Sequence, residues 1–198
     1  MKIVTTAEGG MAVTNDAGLA ATMDRMRSHG ITRDPALMTH ESDGGWYYQQ
    51  LELGFNYRMT ELQAALGVSQ MHRLDQFVTR RRELAARYFA LLADLPVTLP
   101  QQSADTDSAW HLYILRLNDC SAEQHRAVFD QLRERGIGVN LHYIPVHLQP
   151  YYEALGFSSG DFPQAEKYYS EAISIPLYHA MTDAQQDEVS RVLHEVLA

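Results

Sequence analysis

Three stretches of the chain combine a hydroxyl residue, a glutamine three positions later and a helical pattern behind them: Thr60-Glu61-Leu62-Gln63, Ser121-Ala122-Glu123-Gln124 and Thr182-Asp183-Ala184-Gln185. In such a capping box the hydroxyl accepts from an amide inside the first helical turn, and the glutamine side chain reaches back to the amide of the cap residue. Each box therefore predicts where a helix begins. Behind the first, Leu62, Leu66, Met71, Leu74, Phe77 and Val78 form a helically spaced apolar stripe expected to be buried. The pattern runs to about Ala93 as one long or bent helix, and Pro96 and Pro100 end it. The second box opens a helix to about Arg135, stopped by Gly136-Ile137-Gly138, and the third opens the last helix.

Strand candidates lie between these helices at Trp110–Leu117, Val139–Ile144 and Ile173–Leu177, with short helices expected near 147–155 and 161–171. The order β-α-β-α-β-α after residue 108 predicts a small α/β domain. Upstream, Met11–Thr14 reads as a β-like run after Gly9-Gly10, and Asn15-Asp16 caps a helix over 17–28. Residues 29–57 read as an irregular, aromatic-bearing stretch of the length that is often functional. The expected division is residues 1–58, a linking helix and polar linker over 59–107, and a C-terminal domain over 108–198.

Of the 198 residues, 45% are hydrophobic, enough for a packed core rather than a disordered chain. The net charge of −9 argues against a nucleic-acid binder, which needs a basic surface to displace counterions. No apolar run approaches the ~20 residues that span a bilayer. The apolar run after Lys2 stops at Ile3-Val4, too short for an export signal. The single cysteine, Cys120, allows no intrachain disulfide and fits a reducing cytoplasm.

Three stretches carry chemistry. Lys2 becomes a Schiff-base nucleophile if part of it is neutral; otherwise it is a solvated lysine near a terminus. Gly54-Phe55-Asn56-Tyr57-Arg58 runs into a capped helix start, where free amides favour an anion. Asn56 offers hydrogen bonds without charge and Arg58 a bidentate fork, yet the same residues also suit an ordinary helix start with Tyr57 as a packing aromatic. His142-Tyr143-Ile144-Pro145-Val146-His147 holds two histidines five apart, which is not the metal-binding spacing on a helix, and no third ligand is near. No metal is expected there. The stretch reads either as a strand end with one core histidine or as a polar and aromatic wall for a substrate.

Taken together, Lys2 with Thr5-Thr6-Ala7-Glu8-Gly9-Gly10, Val13-Thr14-Asn15-Asp16, Arg27-Ser28-His29-Gly30-Ile31, Gly54-Phe55-Asn56-Tyr57-Arg58 and Gly136-Ile137-Gly138 resemble the DegT/StrS family of sugar aminotransferases. The stretches His142–Tyr152 and Ile173–Tyr178 most resemble the pseudaminic acid branch of that family. The resemblance implies an α/β fold of the pyridoxal 5'-phosphate (PLP)-dependent transferase type, with a remnant of the large domain before a C-terminal small domain. It implies a cytoplasmic enzyme that aminates C4 of a UDP-linked 4-keto-6-deoxy-2-acetamido hexose, with glutamate as donor. Lys2 would carry the cofactor covalently and shuttle a proton, and its retention favours transamination, since family dehydratases replace it with histidine. Asn56 would reach the cofactor phosphate of a partner subunit across a homodimer interface. Tyr57 and Arg58 would lie at that interface near the sugar nucleotide, and His142 and Tyr143 would face the substrate.

Family members are about twice this long, and roughly half of them precedes the lysine. The resemblance therefore implies an incomplete and inactive piece, with residues 108–198 folding best and residues 1–50 poorly anchored. The alternatives are a non-catalytic assembly or binding piece, and a family dehydratase.

Overall fold

A computed structural model describes residues 2–197. The chain divides into two compact units, one of Ile3–His72 and one of Lys2 with the chain from Arg73 onward.

In the first unit, helix α1 (Ala17–Met26) starts at Asp16, whose carboxylate accepts from the Leu19 amide at 2.9 Å. Two short strands, β1 (Ile31–Thr32) and β2 (Gln49–Gln50), pair antiparallel with Ile31 opposite Gln50. They interrupt the stretch expected to be irregular. Helix α2 (Glu61–Met71) opens on the first capping box, with Gln63 N–H donating to Thr60 Oγ1 at 3.3 Å and Thr60 N–H to Gln63 Oε1 at 3.0 Å. Residues 11–14 form no strand and are exposed. Apolar and β-branched character suits a strand, but a strand exists only where a neighbour completes its hydrogen-bond ladder.

The stripe expected to be buried behind Thr60 is buried only in part. No residue of α1 or α2 is buried, and Leu62 is 85% exposed. The expected single helix also breaks at His72-Arg73, where Arg73 leaves helical geometry (φ −112°, ψ 5°) and helix α3 (Leu74–Leu91) begins. From that point the stripe is covered: Phe77, Leu84, Ala85 and Tyr88 are buried, and so is Arg81.

The second unit is built on a three-stranded antiparallel sheet in the order β3 (Val97–Thr98), β4 (Tyr113–Leu117), β5 (Ala172–Ile175). Along β4, Tyr113, Leu115 and Leu117 are buried while Ile114 and Arg116 alternate outward, as the two-residue period requires. Helix α4 (Ala122–Glu134) follows the second capping box, and α7 (Asp183–Leu197) follows the third. Between them lie a 3₁₀ turn (Val146–Leu148), α5 (Pro150–Glu153) and α6 (Pro163–Glu171). One core joins Leu84 and Tyr88 of α3, Leu115 of β4, Leu132 of α4, Ile173 of β5, and Val192 and Leu193 of α7.

The strand expected over Val139–Ile144 shrinks to a single bridge between Asn140 and Ser174. Asn140 Oδ1 accepts from the Leu141 amide at 2.8 Å, so a side chain takes the place of the next ladder partner. Gly136 takes a positive φ (80°), the left-handed turn that lets the chain leave α4.

Candidate active site

Asn56, Tyr57 and Arg58 owe their position to two chain segments laid backbone against backbone. Phe55 N–H donates to Met26 O (2.7 Å), His29 N–H to Phe55 O (2.8 Å) and Tyr57 N–H to Arg27 O (2.9 Å), with Ser28 and Asn56 bridged. Glycine is required on both sides of this crossing. A Cβ on Gly30, whose φ is 69°, would stand 1.9 Å from Glu52 O, and one on Gly54 would stand 2.2 Å from Gly30 N. An ion pair between Arg25 and Glu52 ties the end of α1 to the chain beyond β2. The Phe55 and Tyr57 rings stack at 4.8 Å, 12° apart. Asn56, Tyr57 and Arg58 are all exposed, two to four residues before the Thr60 cap of α2. An uncharged amide and a guanidinium beside a helix N-terminus suit an anion such as a phosphate.

The second group of candidate residues belongs to the other unit. His142 Nδ1 lies 2.8 Å from Ser174 Oγ on β5, so the Asn140–Ser174 bridge anchors the histidine to the sheet. The peptide bond joining His142 to Tyr143 is cis. The two rings meet edge to face at 4.7 Å, and Tyr143 is 68% exposed. Lys2, exposed, groups with this unit.

Two residues here escaped the reading of the sequence. His111 has a buried Nδ1 without a partner among the described residues. Burial first, then the charges of Lys2, Arg81 and His142, hold its imidazole below the ordinary histidine range. It is therefore neutral at physiological pH and keeps one ring nitrogen free to accept. Arg81 is 6% exposed, and its Nη1 donates to the carbonyls of Trp110 (2.9 Å), His111 (3.2 Å) and Leu177 (3.0 Å), fixing the turn that presents His111. The available signal was an arginine at i+4 from Phe77 and one turn before Ala85, on the buried stripe. A charge in such a row must be solvated by something the fold brings to it.

The chain has only two lysines, Lys2 and Lys167. Lys167 pairs with Glu171 on α6, whereas Lys2 makes no ion pair among the described residues. Lys2 offers a primary amine and His111 a buried ring nitrogen without a partner among the described residues, both in the second unit, whereas the amide of Asn56 and the guanidinium of Arg58 belong to the first.

The comparisons with known proteins agree in direction. The DegT/DnrJ/EryC1/StrS aminotransferase family matches residues 1–194. An uncharacterised protein of Methanocaldococcus jannaschii, MJ1066, is 38% identical over 198 residues, covering 98% of this chain and 50% of that protein. The Bacillus subtilis spore coat polysaccharide biosynthesis protein SpsC is 37% identical over 200 residues, covering 99% of this chain and 51% of SpsC. The structure of Helicobacter pylori PseC, an aminotransferase involved in the biosynthesis of pseudoaminic acid, superposes with a TM-score of 0.89 at 27% identity, over 100% of this chain and 51% of PseC. The chain thus spans about half the length of the curated relatives it matches. With an α/β fold shared with half of a sugar aminotransferase and a family match over nearly its whole length, this chain belongs to the PLP-dependent DegT/DnrJ/EryC1/StrS aminotransferase family.

Proposed function

We propose that the chain is part of an enzyme that transfers an amino group from glutamate to C4 of a UDP-linked 4-keto-6-deoxy-2-acetamido hexose, in the cytoplasmic synthesis of pseudaminic acid or a related nucleotide sugar. The single observation that carries this reading is Lys2: of two lysines, it is the one whose amine is exposed and unengaged by a carboxylate among the described residues. The names of SpsC and PseC support a sugar-directed reaction.

PLP, when bound, supplies the electron sink that makes the C–H bond at the aminated carbon acidic. Lys2 Nζ would hold the cofactor and would move the proton at sugar C4. Asn56 and Arg58 would donate to anionic oxygens, Asn56 to the phosphate of a partner subunit's cofactor and Arg58, with Tyr57, toward the sugar nucleotide in a homodimer. His142, steadied by Ser174, and the exposed ring of Tyr143 form the wall that orients the sugar. We further propose the division into residues 1–58, 59–107 and 108–198 as large-domain remnant, linker and small domain, and little turnover by the 198 residues alone.

Borohydride reduction in the presence of PLP, followed by peptide mapping, tests this. Pyridoxyl label is expected at Lys2 and absent from Lys2→Ala; label confined to Lys167 refutes it. With glutamate as donor, accumulation of 2-oxoglutarate separates transamination from dehydration. Exposed Leu62, Val68 and Met71 on α2 favour a second reading as an assembly module. That reading expects self-association in sedimentation without any pyridoxyl label.

A further inference from the structure

Every residue from Pro150 to Ala165 is exposed. Little apolar burial therefore holds the segment that follows His142 and Tyr143, and its anchorage must be sought in polar contacts. It is found in one carboxylate. Glu166, in the first turn of α6, accepts at Oε1 from His147 Nε2 (2.9 Å) and from the Gly160 amide (2.7 Å), and at Oε2 from Ser159 Oγ (2.9 Å). His147 is itself 7% exposed, and its ring packs on Phe162 at 4.8 Å between centroids. Phe162 in turn meets Phe157, and Phe157 meets Tyr152. The 3₁₀ turn at 146–148, just before the exposed segment, and the loop at 158–160 within it thus converge on one side chain. His147 above all, then Gly160 and Ser159, hold the Glu166 carboxyl below the usual carboxylate range, so it stays ionised and keeps accepting at neutral pH.

We propose that Glu166 is a positioning residue: through His147, Ser159 and Gly160 it fixes the segment 145–162 behind His142, so that Tyr143 is presented to the nucleotide sugar. His142 is held to the sheet by Ser174, and Glu166 holds His147, which follows Tyr143 in the chain. Neither His147 nor Glu166 is assigned contact with substrate. Their effect is on the pose of a residue that makes such contact, in the way outer hydrogen bonds orient inner groups at other sites. This rests on the reading of His142 and Tyr143 as a substrate wall.

The test uses the whole chain, with UDP-N-acetylglucosamine as a stable probe carrying the same nucleotide and 2-acetamido group. Glu166→Ala should weaken probe binding in calorimetry by about tenfold, the size expected when a charge-assisted set of hydrogen bonds is lost. Glu166→Gln keeps an acceptor oxygen for His147 and Gly160 and should stay within about threefold of wild type. In hydrogen exchange, amides of 146–162 should exchange faster in Glu166→Ala while those of β4 and β5 keep their protection. Wild-type binding matched by Glu166→Ala, or equal weakening by the alanine and glutamine variants, overturns the positioning role alone. A wild-type chain that does not bind the probe overturns the nucleotide-sugar reading and the role with it.

Discussion

Replacing Arg81 with methionine should be one of the most damaging single changes in the C-terminal unit. The guanidinium sits on the buried face of α3, between Phe77 and Ala85, and its hydrogen-bond partners are carbonyls rather than a carboxylate. Burial lowers its pKa, which marks the cost of taking the charge out of water. Hydrogen bonds to a charged group contribute about 1.5–3 kcal/mol each, less when several share one nitrogen as they do here. Methionine recovers the desolvation cost of the charge but leaves the Trp110, His111 and Leu177 carbonyls without their donor. The balance is a loss of about 3–4 kcal/mol. For a unit of this size that corresponds to roughly 12–16 °C in Tm, a large share of the ~5–15 kcal/mol that a domain has. Urea titration followed by tryptophan fluorescence reports on the right place, because Trp110 packs against Phe89 and Tyr113 while Trp46 is 75% exposed. A loss below about 1 kcal/mol with an unchanged m-value would refute the reasoning, since the three carbonyls would then be satisfied without Arg81.

Three further outcomes are expected. Leu84→Ala, at a fully buried position, should cost about 2–5 kcal/mol in chemical denaturation, whereas Leu62→Ala, at 85% exposure, should stay within about 0.5 kcal/mol. Ser121→Ala removes the acceptor for the Gln124 amide and should cost about 1 kcal/mol, seen as an earlier thermal transition. His194 accepts a raised pKa from its hydrogen bond to Ser190 O and then from Asp94. A raised pKa means that its stabilisation is complete below the unfolded value of about 6.5 and fades as pH rises through the folded value. Both side chains are well exposed, so the effect is small. His111 and His179, whose pKa values are lowered mainly by burial, act in the opposite sense. The clean measure is therefore the difference between wild type and His194→Gln, which should shrink between pH 6 and pH 8.

Local signals in this chain told the truth about local events. The three capping boxes formed because a cap depends only on residues within one turn, and the starts of α2, α4 and α7 follow directly from Thr60, Ser121 and Thr182. The strand at β4 was likewise legible in its aromatic and branched residues, whereas the need for Gly30 and Gly54, whose missing side chains let two backbones cross, emerged only from the fold. The candidate site residues came only through resemblance, since nothing in the spacing of Lys2, Asn56 and His142 distinguishes them from ordinary surface groups.

Tertiary structure alone decided what each face meets. Leu62 and Leu84 lie on one continuous apolar pattern, yet one is exposed and the other fully buried, because burial requires a partner surface that periodicity does not encode. The same holds for Val139–Ile144, which has strand composition but stops at a single bridge once Asn140 hydrogen-bonds its own neighbour. It holds for Arg81 and Glu166 as well, whose partners lie 29 to 96 residues away in one case and 6 to 19 in the other. A sequence determines the short-range chemistry of caps, turns and alternation; which groups solvate a buried charge or collect around a carboxylate depends on distances that only the folded chain sets.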